Sequence, residues 1–142
     1  MIEFNIRQKI ALLLIVSLAF FSCSQNPTSS KTDTILKNVN PAEAYQLIQK
    51  NAENDNFVIL DVRTPSEYHE GHIEDAININ FYESDFRAQL EELDTTKTYL
   101  IYCRSGGRSG NTLKIMEELG FQEVYNLSSG ILGWKQEGYN TN

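Results

Sequence analysis

Cysteine and histidine are scarce: 142 residues hold two of each, and no group of them has the spacing of a zinc site. Positive charge is also short. Twelve Lys and Arg face nineteen Asp and Glu, for a net charge of −7, which disfavours a nucleic-acid partner because phosphate binding draws on clustered cations. No apolar run is long enough for a comfortable membrane span; the longest, residues 10–21, is broken by Ser17. The body of the chain has no internal repeat and no low-complexity tract. With 41% apolar residues, the length suffices for one domain with a sizeable core and not for two.

What is present divides into three parts. Arg7 and Lys9 precede the apolar run, and Ser22-Cys23 closes it, which is the layout of a secretory signal. The small residue before Cys23 resembles the lipobox of bacterial lipoproteins, although Phe20 and Phe21 depart from its usual pattern. That resemblance implies a signal peptide over 1–22, lipidation of Cys23, and a membrane anchor facing the periplasm. Ser24, in place of an aspartate, points to the outer membrane. Loss of residues 1–22 removes Arg7, Lys9 and Glu3, so the net charge goes from −7 to −8. Residues 23–34, rich in Ser, Thr, Asn and Gln, read as a flexible tether, and 35–139 as the folded domain. With Cys23 lipidated, Cys103 is the sole free thiol and no intramolecular disulfide is possible.

The chain is organised around Tyr99-Leu100-Ile101-Tyr102-Cys103-Arg104-Ser105-Gly106-Gly107-Arg108-Ser109. A β-forming stretch delivers Cys103 into a loop with two glycines and two arginines, and a helical pattern, 111–119, follows. A loop curling with its N–H groups inward before a helix offers unpaired donors and the positive end of the helix dipole to whatever lies in its centre. Gly106 and Gly107 permit the positive φ such a curl demands, and Ser105 and Ser109 add hydroxyl donors. Cys103 at the base of that cup is expected to ionise in the reactive range of roughly 3.5 to 7.5. A thiol walled off from solvent, or N–H bonds turned outward, would overturn the reading.

Elsewhere, Asn40 caps and Pro41 opens a helix that runs to about Gln49. Residues 57–60 form a strand buried on both faces and ending at Asp61. Thr64-Pro65-Ser66-Glu67 starts a short helix interrupted by Gly71, 76–81 reads as a strand, and 83–93 as a helix with Phe86, Leu90 and Leu93 inward. A last strand over 123–126 and a terminal helix over 131–136 complete the pattern. Strands alternating with helices imply an α/β fold, a parallel sheet with helices on both faces. Ligands of such sheets gather beyond the carboxyl ends of the strands, where Asp61 and Cys103 fall. Asp61 is expected to act as a strand-end acceptor, His72 as a structural residue, and Arg63 to pair with Glu67 across one helical turn.

Three segments together resemble the rhodanese family: 60–68 continuing into Gly71-His72-Ile73, the Cys103 loop, and Asn126-Leu127-Ser128-Ser129-Gly130-Ile131 with Trp134 and Gly138. The resemblance implies a rhodanese-like sulfurtransferase, moving a sulfane sulfur from thiosulfate or a persulfide through a Cys103 persulfide to a thiol or cyanide. Cys103 is then the nucleophile. Backbone N–H groups of Arg104, Ser105, Gly106, Gly107, Arg108 and Ser109 hold the persulfide, and Arg104 and Arg108 orient the anionic donor, with Arg108 also bracing the loop. No metal or organic cofactor is implied, and a monomeric domain is expected. Related phosphatases and arsenate reductases place five residues between Cys and Arg; four separate Cys103 from Arg108, a cup suited to a single sulfur atom. Two departures stand out: Glu74-Asp75 replaces a residue and a glycine, placing two acids near the expected substrate approach, and Ser129 replaces a common glycine. The alternative reading is a membrane-tethered sulfur carrier or redox partner, or a non-catalytic interaction module.

Overall fold

The computed structural model describes residues 34–142. Among them five strands, β1 Ile35–Val39, β2 Phe57–Asp61, β3 Ile77–Asn78, β4 Thr98–Tyr102 and β5 Glu123–Leu127, form one sheet in the order β1-β5-β4-β2-β3. Every neighbouring pair is parallel. Five helices link them: α1 Pro41–Lys50, α2 Pro65–His69, α3 Phe86–Glu91, α4 Gly107–Glu118 and α5 Gly130–Gln136. The fold is α/β, as the alternating pattern predicts.

Alternation along β4 divides the core and decides where the thiol goes. Tyr99, Ile101 and Cys103 point to one side, where they meet Phe86 and Leu90 of α3 and Met116 of α4. Leu100 and Tyr102 point to the other, against Ala44 of α1 and Ile131 and Trp134 of α5. Cys103 therefore emerges on the face that carries α4, the helix its own loop begins.

Local chemistry fixes several boundaries. The Asn40 side chain accepts from Glu43 N and the Glu43 carboxylate from Asn40 N, each at 2.9 Å, a reciprocal cap with Pro41 at the first helical position. Thr64 and Glu67 repeat the device at α2. Other boundaries differ from expectation. β1 is an additional strand, pairing with β5 from Ile35 to Val39. The strand expected over 76–81 keeps two residues; Ile79 and Phe81 still donate to the Asp61 and Val62 carbonyls, so the chain follows β2 without a full ladder. The helix expected over 83–93 is confined to α3, because 83–86 form a turn closed by Phe86 N on the Glu83 carbonyl. α4 starts four residues before Asn111, since Gly106 at φ 97° turns the chain and its carbonyl accepts from Gly110 N. The fold also continues past Tyr139: His72 and Asn142 exchange two backbone hydrogen bonds, of 2.9 and 3.2 Å.

Candidate active site

Of the loop N–H groups expected to face the sulfur, those of Ser105, Gly106 and Ser109 do so. Gly106 N donates to Cys103 Sγ at 3.1 Å, and Ser109 Oγ lies 3.5 Å from the same sulfur. α4 has no side-chain cap, so the sulfur occupies the place a capping oxygen would take at its N-terminus. Burial pushes the Cys103 thiol up, but the Ser109 hydroxyl and the N–H groups of Ser109, Ser105 and Gly106 outweigh it and hold the thiol below its ordinary pKa. Of the two observations that would overturn the open-cup reading, outward N–H bonds are not found but a walled-off thiol is. Cys103 is 1% exposed, so the cup is closed over its sulfur rather than open. The neighbouring loop residues Arg104, Ser105 and Gly107 are exposed.

The inward orientation is imposed from outside the loop. Ile131 N donates to the Cys103 carbonyl at 2.9 Å and Leu132 N to the Arg104 carbonyl at 3.1 Å. Across a trans peptide the N–H points opposite to the C=O, so anchoring these two carbonyls on α5 aims the amides of Arg104 and Ser105 the other way. The approach is close enough to require glycine twice. A Cβ on Gly130, at φ 60°, would overlap the Arg104 and Cys103 carbonyls, and one on Gly106 would overlap the Ser128 carbonyl. The third segment of the rhodanese-like pattern, 126–131, is thus the outer wall of the loop.

The two arginines are placed differently. Arg108 gives both terminal nitrogens to Glu67, Nη1 to Oε2 and Nη2 to Oε1, each at 2.7 Å. Its guanidinium also lies 5.5 Å from the centre of the Tyr82 ring. The Arg108 guanidinium, working against burial and helped by Thr64, holds the Glu67 carboxyl down to about 2. Glu67 therefore closes the α2 cap and joins α2 to the first turn of α4. The helix-cap spelling Thr64-x-x-Glu67 was visible in the sequence, but the partner 41 residues away was not. Arg104 is exposed and, among the described residues, pairs with no carboxylate.

The pairing of Arg63 with Glu67 is not formed. Arg63 instead turns back on Asp61, with Nη2 to Oδ2 at 2.6 Å and Nε to both carboxylate oxygens at 2.9 and 3.0 Å, and also donates to the Gly71 carbonyl at 2.8 Å. Both residues are buried, so Asp61 is the strand-end acceptor expected, holding the 70–73 turn against β2. His72 stacks on Tyr68, with ring centres 3.8 Å apart, and its Nδ1 lies 3.0 Å from the Tyr68 carbonyl. Glu74 and Asp75 do not border the loop. Asp75 lines a cavity with Asn54 and Phe57 at the start of β2, the amino end of the sheet, because the chain has by then run back to begin β3. Cys23 lies outside the described residues. Among the described residues no group of three His, Cys, Asp or Glu side chains is arranged to hold a metal ion.

A parallel sheet that presents a thiol beyond a strand's carboxyl end, inside a ring of amides at a helix start, defines an α/β protein with an anion-stabilising cysteine loop. Residues 40–137 match the rhodanese-like domain, and the chain belongs to that family. A protein of Allochromatium vinosum named sulfurtransferase is 32% identical over 100 residues, covering 70% of this chain and 92% of its own. Thiosulfate sulfurtransferase GlpE of Coxiella burnetii is 33% identical over 99 residues, covering 70% and 87%. Among solved structures, a rhodanese-related protein from Thermoplasma volcanium matches with a TM-score of 0.64 at 30% identity, over 75% of this chain and 97% of that one.

Proposed function

We propose that this chain is a rhodanese-type sulfurtransferase that carries a sulfane sulfur on Cys103. The observation that carries the reading is the hydrogen bond from Gly106 N to Cys103 Sγ, within a loop whose carbonyls are tied outward to α5. The Cys103 thiolate attacks the outer sulfur of thiosulfate; a new S–S bond forms, the old one breaks with its electron pair, and sulfite leaves. The charge transferred to the outer sulfur is met by the amides that stabilised the thiolate, an arrangement like an oxyanion hole. In the second half an acceptor thiolate, or cyanide, attacks that outer sulfur and Cys103 Sγ departs as the thiolate. No external oxidant or reductant is consumed. Arg104 draws the anionic donor to the rim, and Arg108, held by Glu67, keeps the loop in register. Because Cys103 is covered, loading requires the loop to move far enough to admit the donor.

Whole-protein mass spectrometry after thiosulfate treatment tests this. A gain of one sulfur atom that disappears in Cys103→Ser is expected; no gain from thiosulfate or a persulfide donor leaves only an interaction module. Turnover with cyanide or a small thiol separates an enzyme from a carrier that loads without turning over. We further propose that Cys23 bears the lipid that tethers the domain to a membrane on its periplasmic side. Palmitate labelling that survives Cys23→Ser removes that proposal.

A further inference from the structure

The described residues leave five large apolar side chains open to solvent. Two of them stand at the ends of the Cys103 loop. Tyr82, 68% exposed, lies beside Arg108 at its far end, 5.5 Å from the guanidinium, and rests edge-on against Phe81 with ring centres 5.6 Å apart. Leu132, 49% exposed, sits at its near end, where its own N–H holds the Arg104 carbonyl. Arg104, exposed and without a carboxylate partner among the described residues, belongs to the stretch between them. Single exposed apolar residues are ordinary, but Tyr and Arg beside one covered nucleophile form the composition of an interface anchor.

We propose that Tyr82 and Leu132 form a docking rim for a protein acceptor: a cysteine on an exposed loop, flanked by an apolar residue and a carboxylate. This rests on the reading of Cys103 as a sulfur carrier and names its acceptor. Cyanide and free polar thiols gain nothing from a leucine and a tyrosine at the mouth, whereas an apolar neighbour of a protein cysteine buries against them. Arg104 meets the carboxylate. An acidic chain with net charge −7 repels acidic partners at long range, so recognition is confined to contact with this one cation. Tyr82 already has the Phe81 ring and the Arg108 guanidinium as neighbours, which lowers the entropic cost of ordering it on docking. The cavities of about 300, 540 and 340 Å³ open elsewhere, lined for example by Lys50, by Tyr45 and by Asn54. In the transfer the acceptor thiolate forms a bond to the outer persulfide sulfur, the bond from that sulfur to Cys103 Sγ breaks with its electron pair returning to Sγ, and the acceptor leaves as its persulfide.

The test loads the protein from thiosulfate and follows loss of the added sulfur by mass. The acceptors are cyanide, glutathione and two otherwise identical peptides, one with leucine and aspartate beside its cysteine and the other with serine and lysine. Loaded wild-type protein is expected to discharge to the first peptide about tenfold faster than to the second or to glutathione, a difference of the size one interface anchor supplies. In the Tyr82→Ser/Leu132→Ser variant that preference is expected to vanish while loading and discharge to cyanide stay within about twofold. Equal rates for the two peptides, or a rim variant that slows cyanide as much as the peptide, overturn the docking rim alone. Failure of the wild type to load overturns the sulfur-transfer reading beneath it.

Discussion

Ser129 fills the space that Gly133 leaves empty. A Cβ on Gly133 would overlap both the Oγ and the Cβ of Ser129, so turning the hydroxyl does not relieve the clash. The Ser129 Oγ is buried and finds no hydrogen-bond partner among the described residues. The serine at 129, where the rhodanese resemblance leads one to expect glycine, is accommodated by a glycine one helical turn later.

That coupling predicts a change of sign. Gly133→Ala in the wild type is expected to destabilise by about 2 kcal/mol through overpacking. In a Ser129→Gly background the same substitution is expected to stabilise by up to about 1 kcal/mol, the usual gain of alanine over glycine within a helix. A double-mutant cycle by urea unfolding measures the difference; additive effects would show that the two positions are not coupled.

The Glu67–Arg108 pair predicts an acid-labile brace. The folded-state pKa of Glu67 lies near 2, below its ordinary value of 4.5. Its contribution is therefore complete above about pH 4.5 and lost as pH falls toward 2. Glu67→Gln is expected to cost about 2 kcal/mol at neutral pH, after allowance for partial solvent screening. The gap to the wild type should close by about pH 2, and a gap constant with pH would contradict the assignment. Arg108→Lys keeps the charge but loses the two-pronged contact, so the KM for thiosulfate is expected to rise about fivefold. Unchanged donor affinity counts against a role for Arg108 at the loop.

Where the sequence carried its instructions locally, it was readable. The strand at 57–60 announced itself by an unbroken apolar run, and the starts of α1 and α2 by Asn40-Pro41 and Thr64-Pro65 with glutamate at the third helical position. β1 was not readable, because only one end of this edge strand is buried, at Val39, so its residues follow neither a continuous nor a strictly alternating apolar pattern. Charge pairing failed for a related reason. Arg63 and Glu67 have helical spacing, but Arg63 precedes the helix and its nearest carboxylate is Asp61, while Glu67 is claimed by Arg108, 41 residues on in the sequence. The amide ring around Cys103 was foreseeable from Gly106 and the helix that follows. Its closure was not, since it depends on α5 drawing the Cys103 and Arg104 carbonyls outward.

Asp75 offers a test of backbone strain away from the chemistry. It is the one non-glycine residue with positive φ among the described residues, at 60°, in the place where the rhodanese resemblance leads one to expect glycine. Asp tolerates this region better than most residues, yet still at a cost. Asp75→Gly is expected to stabilise by about 0.5 kcal/mol, and Asp75→Ala to destabilise by about 1 kcal/mol. Urea midpoints in the order Gly above Asp above Ala support the strain; alanine equal to glycine removes it.

The ionisation of Cys103 can be read without any donor reaching it. Its sulfur is covered, so an alkylation rate mixes access with acidity, whereas the ultraviolet absorbance of the thiolate reports acidity alone. The wild-type titration minus that of Cys103→Ser is expected to give an inflection below the roughly 8.5 of a free thiol. Burial opposes ionisation and four donors favour it, the Ser109 side chain first among them, so removing one donor should shift the balance visibly. Ser109→Ala is expected to raise the inflection by about one pH unit, the scale of one hydrogen bond to a charged group. A Ser109→Thr variant, which keeps the hydroxyl, should restore it. Loading from thiosulfate should follow the same curve, rising with pH as the thiol ionises and reaching its plateau at lower pH in the wild type than in Ser109→Ala. An inflection at the free-thiol value in both proteins would mean that the loop's amides do not hold a thiolate, and the covered sulfur would then be an ordinary buried side chain.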